Sequence, residues 1–276
     1  MIQPLSLIDS IILFLHSPYL HEMFTVLRRI RKSLIESGSS RKYLLYAIGE
    51  IALVVIGILI ALQINNWNEE RKFTKTEAYT LNEILSNLEE DADQMKLIVE
   101  RRNNAEKSSE KLVPSLSNGK DLTLDHSKDV SNILTFERFY PLSNAYEMMK
   151  STGLKIKNEN LRSEISRYYD FEQEKIKKSV MDIEDVVIRL LNTDNAIRSN
   201  IKYSTSGAGL ESDIRFKDIN DKVFHQYLLT ELILFRDNNK ATLQKAKDFL
   251  ELNSALIQLV TKEINTPRLN THNTQS

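Results

Sequence analysis

The sequence predicts an all-α protein, with one transmembrane helix followed by an elongated antiparallel helical bundle or coiled-coil-like domain outside the cytoplasm. Three observations support this prediction. Residues 43–65 are apolar apart from Glu50 and the last few positions. Only 7 Gly and 5 Pro occur in 276 residues, whereas all-β domains need many turns and use more of both. Beyond residue 65, apolar residues recur at helical spacing through most of the chain.

The apolar stretch has the length and the flanks of a membrane span. About 20 residues rising ~1.5 Å each match a hydrocarbon core of about 30 Å. Tyr43 and Tyr46 at one end and Trp67 just past the other are placed as interfacial anchors. The alternative is a buried core helix of a soluble domain, which is usually shorter and more interrupted. We therefore predict a transmembrane helix over residues 43–65.

Basic residues predict the orientation of this span. Six of them precede it in a short segment: Arg28, Arg29, Arg31, Lys32, Arg41 and Lys42. Three follow it: Arg71, Lys72 and Lys75. The bias places residues 1–42 in the cytoplasm, where the basic cluster can contact anionic lipid, and the C-terminal bulk on the other side.

Glu50 is unusual because a carboxyl group within a bilayer is costly unless it is protonated or hydrogen-bonded. It belongs to a seam at alternating steps of three and four residues: Ala47, Glu50, Val54, Gly57, Ala61 and Ile64. Gly57 and Ala61 form a small-xxx-small pair, which permits close approach of two helices. Our hypothesis is self-association along this seam, with Glu50 hydrogen-bonding across it. The alternative is that Glu50 leans toward the headgroups or bonds locally near Tyr46.

Residues 1–22 contain an apolar stretch from Leu5 to Leu15, interrupted by Asp9. It lacks the basic start of a signal peptide and is too short to span a bilayer comfortably. Two interpretations remain: an interfacial helix, or an upstream extension with translation starting at Met23. We favour the second, because the basic segment and the span follow Met23 in a coherent order.

The blocks RKYLLYAIGEI (residues 41–51) and LQINNWNEERK (residues 62–72) are specific beyond their apolar composition. They resemble the signature of an uncharacterised family of gram-negative bacterial membrane proteins, a domain of unknown function. The basic run 28–32 is similar to that family's start, and residues 144–153 and 161–169 resemble it more loosely. The resemblance implies an inner-membrane location with the bulk of the chain in the periplasm. It implies no activity and no catalytic residues.

The predicted helical domain covers residues 66–265 and begins with a long helix. We expect this helix over about 68–112, with Pro114 and Gly119 ending it. Its continuation from the span without a break is one alternative. Its predicted apolar seam consists of Ala78, Leu81, Leu85, Leu88, Ala92, Met95 and Val99. The same heptads are compatible with packing within one chain or with a parallel dimeric coiled coil.

Further helices are predicted down the chain. Asp125 is a candidate cap for a short helix through Leu134, and Asn144 with Glu147 fits a capping box for a helix that ends at Gly153. A second long helix is expected over 160–199, with a change in winding between residues 168 and 176, where the apolar seam slips. Residues 204–209 are predicted as a loop, 219–264 as one bent or two antiparallel helices, and 266–276 as a disordered tail.

No catalytic pattern stands out. Cysteine is absent, the five histidines are scattered, and neither a phosphate-binding loop nor a Gly-x-Ser-x-Gly turn occurs. We therefore expect no enzyme activity, no cofactor and no metal. A net charge of -1 argues against a nucleic-acid partner. The acidic clusters 89–91 and 184–185 are predicted to be solvated faces.

Two aromatic groups are candidates for a small-molecule groove between helices, with core packing as the favoured alternative. One consists of Tyr146, Tyr168 and Tyr169 with Phe171, and the other of residues 138–140. The leading functional hypothesis is a non-enzymatic envelope protein whose bundle binds itself or another protein. The alternative is a sensor-like bundle that binds a ligand and acts through a partner, because the predicted cytoplasmic segment is at most 42 residues long.

Overall fold

The computed structural model describes residues 40–123, 125–192, 194–205 and 212–266, together with Thr25, Arg29 and Lys32. The chain divides into two compact units at the Phe73–Thr74 bond. The interpretations of residues 1–22 and most of the predicted tail 266–276 lie outside the described residues, as do residues 206–209 of the predicted loop 204–209.

The first helix, α1, runs without a break over Ser40–Ser117. The predicted span and the predicted first long helix are therefore one continuous element. Pro114 was expected to end it but lies inside its last turn. The missing amide of a proline removes one bond to the preceding turn, yet its fixed φ remains helical, so α1 continues for three residues. Gly119, with φ +62°, follows this last turn.

The second unit contains six more helices, a π-turn and one hairpin. In chain order they are α2 Asp125–Ile133, α3 Asn144–Thr152, α4 Glu159–Arg167, the π-turn Tyr168–Glu172, α5 Gln173–Asn192, α6 Ala196–Asn200, β1 Ile201–Thr205, β2 Ser212–Phe216 and α7 Lys222–Asn265. The last helix is single, so the possible turn near residue 238 is absent. The second long helix ends at Asn192, earlier than predicted.

Hydrogen bonds between elements give the order of the bundle. The segment between α1 and α4 runs back along α1: Asp129 bonds Ser108, Tyr140 bonds Gln94 and the amide of Lys157 bonds Glu77. Helix α7 runs antiparallel to α1 and also to α4–α5. The bundle therefore has four segments that alternate in direction: α1, the segment between α1 and α4, α4–α5, and α7. In the second segment, short helices replace a long one. These heptads pack within one chain.

The core seam of α1 follows a strict alternation of four and three residues. Its buried members are Glu77, Leu81, Ile84, Leu88, Asp91, Met95, Ile98, Arg102, Ala105, Ser109, Leu112 and Leu116. The predicted seam contained Leu81, Leu88 and Met95 correctly. The prediction placed Leu85 and Val99 in the seam, but the structure buries Ile84 and Ile98 there. Asp91, which lies seven residues from both, was left out of the predicted seam because it is charged.

The π-turn explains the predicted change in winding. It carries one residue more than a regular helical turn would, between the seam of α4 and the seam of α5. The extra residue lets Leu161 and Ile165 before it, and Ile176 and Val180 after it, face the same core. The expected change in winding at this position is therefore confirmed.

Two local predictions need correction. Asn144 does not cap α3: the cap position is Ser143, without a side-chain bond, and the Asn144 Oδ1 accepts from Asn87 across the bundle. The predicted loop 204–209 begins inside a short hairpin, in which Ile201 pairs with Phe216 and Thr205 with Ser212. The helices of the described chain agree with the all-α prediction. Gly153 does end α3, with φ 68° and the Leu154 amide bonded back to Met149.

Candidate functional site

The apolar part of α1 is exposed. The helix is long and apolar enough to cross a membrane, and none of its apolar stretch is buried in the rest of the structure. Ile51 is 65% exposed and Leu53, on another side, 63%. It is therefore not the buried core helix considered as an alternative. A helix that is apolar all round and this exposed is compatible with insertion into a membrane.

The predicted residues of this stretch occupy an outward-facing surface. Gly57 has open space around it, since a Cβ added there would meet no heavy atom within 4 Å. Ala61 is exposed as well, and Glu50 is half-buried. Trp67 is 54% exposed, and Tyr46 is half-buried. Nothing in the described structure requires a glycine at residue 57.

The basic flank is described only in part. Arg29, Lys32 and Arg41 are exposed. The side chains of Lys42 and Tyr43 lie outside the described atoms, and Arg28 and Arg31 lie outside the described residues.

A buried polar layer centres on Asp91, which is fully buried in the seam of α1. Its Oδ2 accepts from the Tyr168 hydroxyl at 2.7 Å and from the Gln173 amide at 2.8 Å. Its Oδ1 accepts from the Leu142 backbone amide at 3.0 Å. Among the described residues, no cationic nitrogen lies within 4.0 Å of this carboxyl group. The sequence prediction that residues 89–91 form a solvated face is thus wrong for Asp91.

The hydrogen bonds around Tyr168 and Gln173 show which group donates and which accepts in this layer. The Asn253 amide donates to the Leu88 carbonyl at 2.9 Å and to the Tyr168 hydroxyl at 3.0 Å. Since that hydroxyl accepts from Asn253, its own hydrogen is directed to Asp91. Gln173 likewise donates to the Leu142 carbonyl at 3.2 Å as well as to Asp91. Asp91 therefore faces three donors, an arrangement that suits a carboxylate.

Burial disfavours the charged carboxylate form of Asp91, which the three donors favour. It raises the pKa of Asp91 above its usual value, while the three hydrogen bonds hold that pKa down. Burial also raises the pKa of Tyr168, and the charge of Asp91 adds to this effect. The tyrosine is therefore a hydrogen-bond donor rather than an acid at physiological pH.

The aromatic side chains predicted to line a groove lie in the core beside this layer. The rings of Tyr146 and Tyr169 stack with their centroids 4.7 Å apart, and Tyr168 packs edge-on against Tyr169 with the centroids 5.0 Å apart. All three are buried. Their rings fill the space between α3 and the π-turn and line none of the surface grooves described below.

A second polar layer lies eleven residues further along α1. Arg102 is 1% exposed, and its guanidinium donates to the Thr135 carbonyl and to Asn239 Oδ1. No carboxylate of the described residues lies within 4.0 Å of it. Burial, with the neighbouring charge of Arg101, lowers the pKa of Arg102 to about 10, so the group remains a cation at neutral pH.

The grooves on the described surface include three open ones. The first, about 210 Å³, borders the π-turn and is lined by Arg167, Glu172, Lys175, Ile176, Lys245, Asp248, Phe249 and Leu252. The second lies beside α6. The third contains residues 136–138 and Tyr140 next to Leu97 of α1. It therefore includes Arg138 and Tyr140 of the second predicted group, whereas Phe139 is buried in the core. The described residues contain no group of three or more His, Asp or Glu side chains arranged to hold a metal ion.

Sequence reasoning missed Asp91 and Arg102 because it assigned charged residues to solvent. A usable signal was present: Asp91 stands seven residues from both Ile84 and Ile98, and Arg102 seven residues from Met95. A charged residue in step with a heptad of apolar residues is placed on the core side of the helix.

Comparison with known proteins gives one similarity, to a family without an assigned activity. Residues 50–184 match the model of a family described as "Family of unknown function (DUF6090)". This stretch contains most of the apolar segment, Asp91, Arg102 and the π-turn. No curated protein and no solved structure matches the chain.

Proposed function

We propose that the protein is a non-enzymatic, single-pass inner-membrane protein of a gram-negative bacterium that works by associating with itself or with another envelope protein. The observation that carries this is the exposed apolar stretch of α1. Lipid is the surrounding that best covers such a helix. The basic residues before it favour a cytoplasmic N-terminus, with the bundle in the periplasm.

This topology predicts the behaviour of reporter fusions. A phosphatase that folds only outside the cytoplasm, fused behind Ser276, is expected to be active, and the chain is expected to stay with carbonate-washed membranes. Replacing the basic cluster before the span by glutamine is expected to lower that activity, because the charge bias sets orientation. A fluorescent protein that matures only in the cytoplasm, fused at the same place, should stay dark. A bright fusion or a soluble full-length chain would contradict the proposal.

Self-association through the membrane helix is the more specific form of this proposal. Gly57 and Ala61 offer a smooth surface with open space around the glycine. In lipid, where helices gain little from hydrophobic burial, close backbone contact and interhelical hydrogen bonds drive pairing. Glu50 lies on the same seam, where a hydrogen bond to the second copy offsets part of the cost of a carboxyl group in the bilayer.

Gly57→Ile is expected to weaken self-association by about 1–2 kcal/mol, roughly a tenfold loss of dimer, because the larger side chain separates the backbones. Glu50→Leu is expected to reduce it by removing the hydrogen bond. Both are measured with a reporter of transmembrane helix pairing in membranes.

Gly49→Ile is the matched control for this measurement. Gly49 also has open space around it but lies about 100° round the helix from Glu50, off the seam. Its reporter signal should stay at the parental level. An unchanged signal for Gly57→Ile and Glu50→Leu would rule out self-association through this seam.

A second candidate function is ligand sensing through a partner protein. The observation that favours it is the groove at the π-turn, where three cations and two carboxylates surround Phe249. Its volume of about 210 Å³ lies below the ~300–1,000 Å³ typical of ligand sites. Crosslinking in native membranes with mass spectrometry separates the two functions. A specific protein partner supports association, whereas an uncrosslinked chain that a small anionic metabolite stabilises against heat supports sensing.

A further inference from the structure

Two asparagines of α7 make the same contact with α1, two heptads apart. The Asn253 amide donates to the Leu88 carbonyl at 2.9 Å, and the Asn239 amide donates to the Arg102 carbonyl at 3.1 Å. Both asparagines are fully buried. The donors are fourteen residues apart on one helix and the acceptors fourteen apart on the other, so one antiparallel register satisfies both.

Each asparagine also reaches the charged layer beside it. Asn239 accepts from the Arg102 guanidinium at 3.4 Å and donates to Glu106 at 3.0 Å. Asn253 bonds the Tyr168 hydroxyl, which in turn donates to Asp91. The contacts therefore join α7 to the two buried charges of α1 as well as to its backbone.

Apolar packing alone does not select this register. The seams of α1 and α7 both repeat every seven residues, so a slide by one heptad, about 10 Å, keeps most apolar residues facing each other. Either direction of slide brings one asparagine beside Met95, which is fully buried among apolar side chains. It also removes Asn239 from Arg102 and Asn253 from Tyr168. A buried polar group without its partner is disfavoured, and this disfavours the slide.

We infer that Asn239 and Asn253 fix the register of α7 against α1, so that the bundle holds one arrangement of its long helices. Polar residues at core positions of helical assemblies are known to select register at some cost in stability. The consequence is a bundle that presents a constant surface rather than one whose helices slide past each other. This goes beyond the proposed association and stands without it, because it concerns contacts within one chain.

The absence of cysteine from the chain makes disulfide mapping a direct test. Met95 and Ala246 each lie seven residues from the two contacts and share one apolar cluster, so Met95→Cys with Ala246→Cys reports the observed register. Leu88→Cys with Ala246→Cys reports a slide by one heptad in the direction that brings Asn239 beside Met95. The opposite slide separates both pairs, so the loss of the 95–246 crosslink without a new 88–246 crosslink reports it. In the otherwise parental full-length chain, oxidised in membranes, we expect the first pair to crosslink and the second not to.

Adding Asn239→Leu and Asn253→Leu together is expected to reduce the 95–246 crosslink and to produce the 88–246 crosslink. The matched control is Asn238→Leu with Ser254→Leu, at the exposed neighbouring positions, which should leave both crosslinks at parental levels. Circular dichroism reports whether each variant folds, and Asn239→Ser with Asn253→Ser serves if the leucine variant does not.

A folded asparagine variant that keeps the parental crosslinks would overturn the inference. A parental chain that crosslinks 88–246 instead of 95–246 would overturn it too. If both the leucine and the serine variants unfold while the control folds, the asparagines are required for folding rather than for register, and the inference also fails. None of these readouts depends on self-association or on membrane topology.

Discussion

Deleting Phe171 is expected to leave the bundle folded, with a melting temperature within a few degrees of the parental chain. Phe171 is 58% exposed and lies in the π-turn, which carries one residue more than a regular turn. Without it, Tyr168 and Gln173 become four positions apart, one turn of a regular helix, and both still face Asp91. The apolar residues of α5 keep their orientation toward the core.

Deleting Asp182, an exposed residue of α5, is the matched control and is expected to be severe. In a regular helix the loss of one residue rotates everything after it by about 100°. Ile183, Val187 and Leu190, all buried, would then turn away from the core. At ~1.5–3 kcal/mol for each buried side chain, the loss is about 5 kcal/mol or more.

Thermal unfolding of the full-length chain in detergent, followed by circular dichroism, measures both deletions. A domain of about 200 residues shifts by roughly 2–4 °C per kcal/mol, so the Asp182 deletion should melt at least 10 °C lower or fail to fold. An equal decrease in melting temperature for the two deletions would mean that the π-turn does not tolerate the loss of one residue better than a regular helix.

Asp91→Ala is expected to destabilise the bundle by about 2–4 kcal/mol, since the Leu142 amide and the Tyr168 hydroxyl lose a buried acceptor and a cavity remains. The matched control is Asp93→Ala, two residues away on the same helix. Asp93 forms an exposed pair with Lys96, and such pairs contribute little. Denaturant unfolding should separate the two variants clearly. A parental midpoint for Asp91→Ala would show that the layer does not contribute to stability.

The same layer predicts a pH dependence. The pKa of Asp91 is raised in the folded state above its usual 3.8, because burial disfavours the charge. Its contribution to stability is therefore fully present below pH 3.8 and is lost as the pH rises through the raised folded-state pKa. Asp91→Asn cannot titrate, so the stability of the parental chain relative to this variant should fall as the pH rises. A difference that is constant or increases with pH would contradict the raised pKa.

Much of the secondary structure follows from local patterns. The apolar run over residues 43–65 and the scarcity of Gly and Pro indicate a long, exposed, apolar helix followed by a helical domain, because length and periodicity are properties of the chain itself. The slip between residues 168 and 176 likewise indicates the π-turn. Gly153 marks the end of α3 because a positive φ favours glycine.

The candidate site was harder to predict. Tyr146, Tyr168 and Tyr169 were candidates for a groove, and the structure packs them in the core. Sequence patterns do not tell a buried aromatic from one that lines a cleft, because both carry the same apolar spacing. The proposed membrane seam at Gly57 depends on contacts between chains and remains a prediction.

By itself the sequence determined that this chain is helical and carries one stretch suited to lipid, since hydropathy and periodicity act over neighbouring residues. Only the tertiary structure decided that Asp91 and Arg102 are buried. Their place depends on partners 33 to 137 residues away, such as Tyr168 for Asp91 and Asn239 for Arg102. A charged side chain enters a core only where distant groups supply its hydrogen bonds, and no local pattern contains that information.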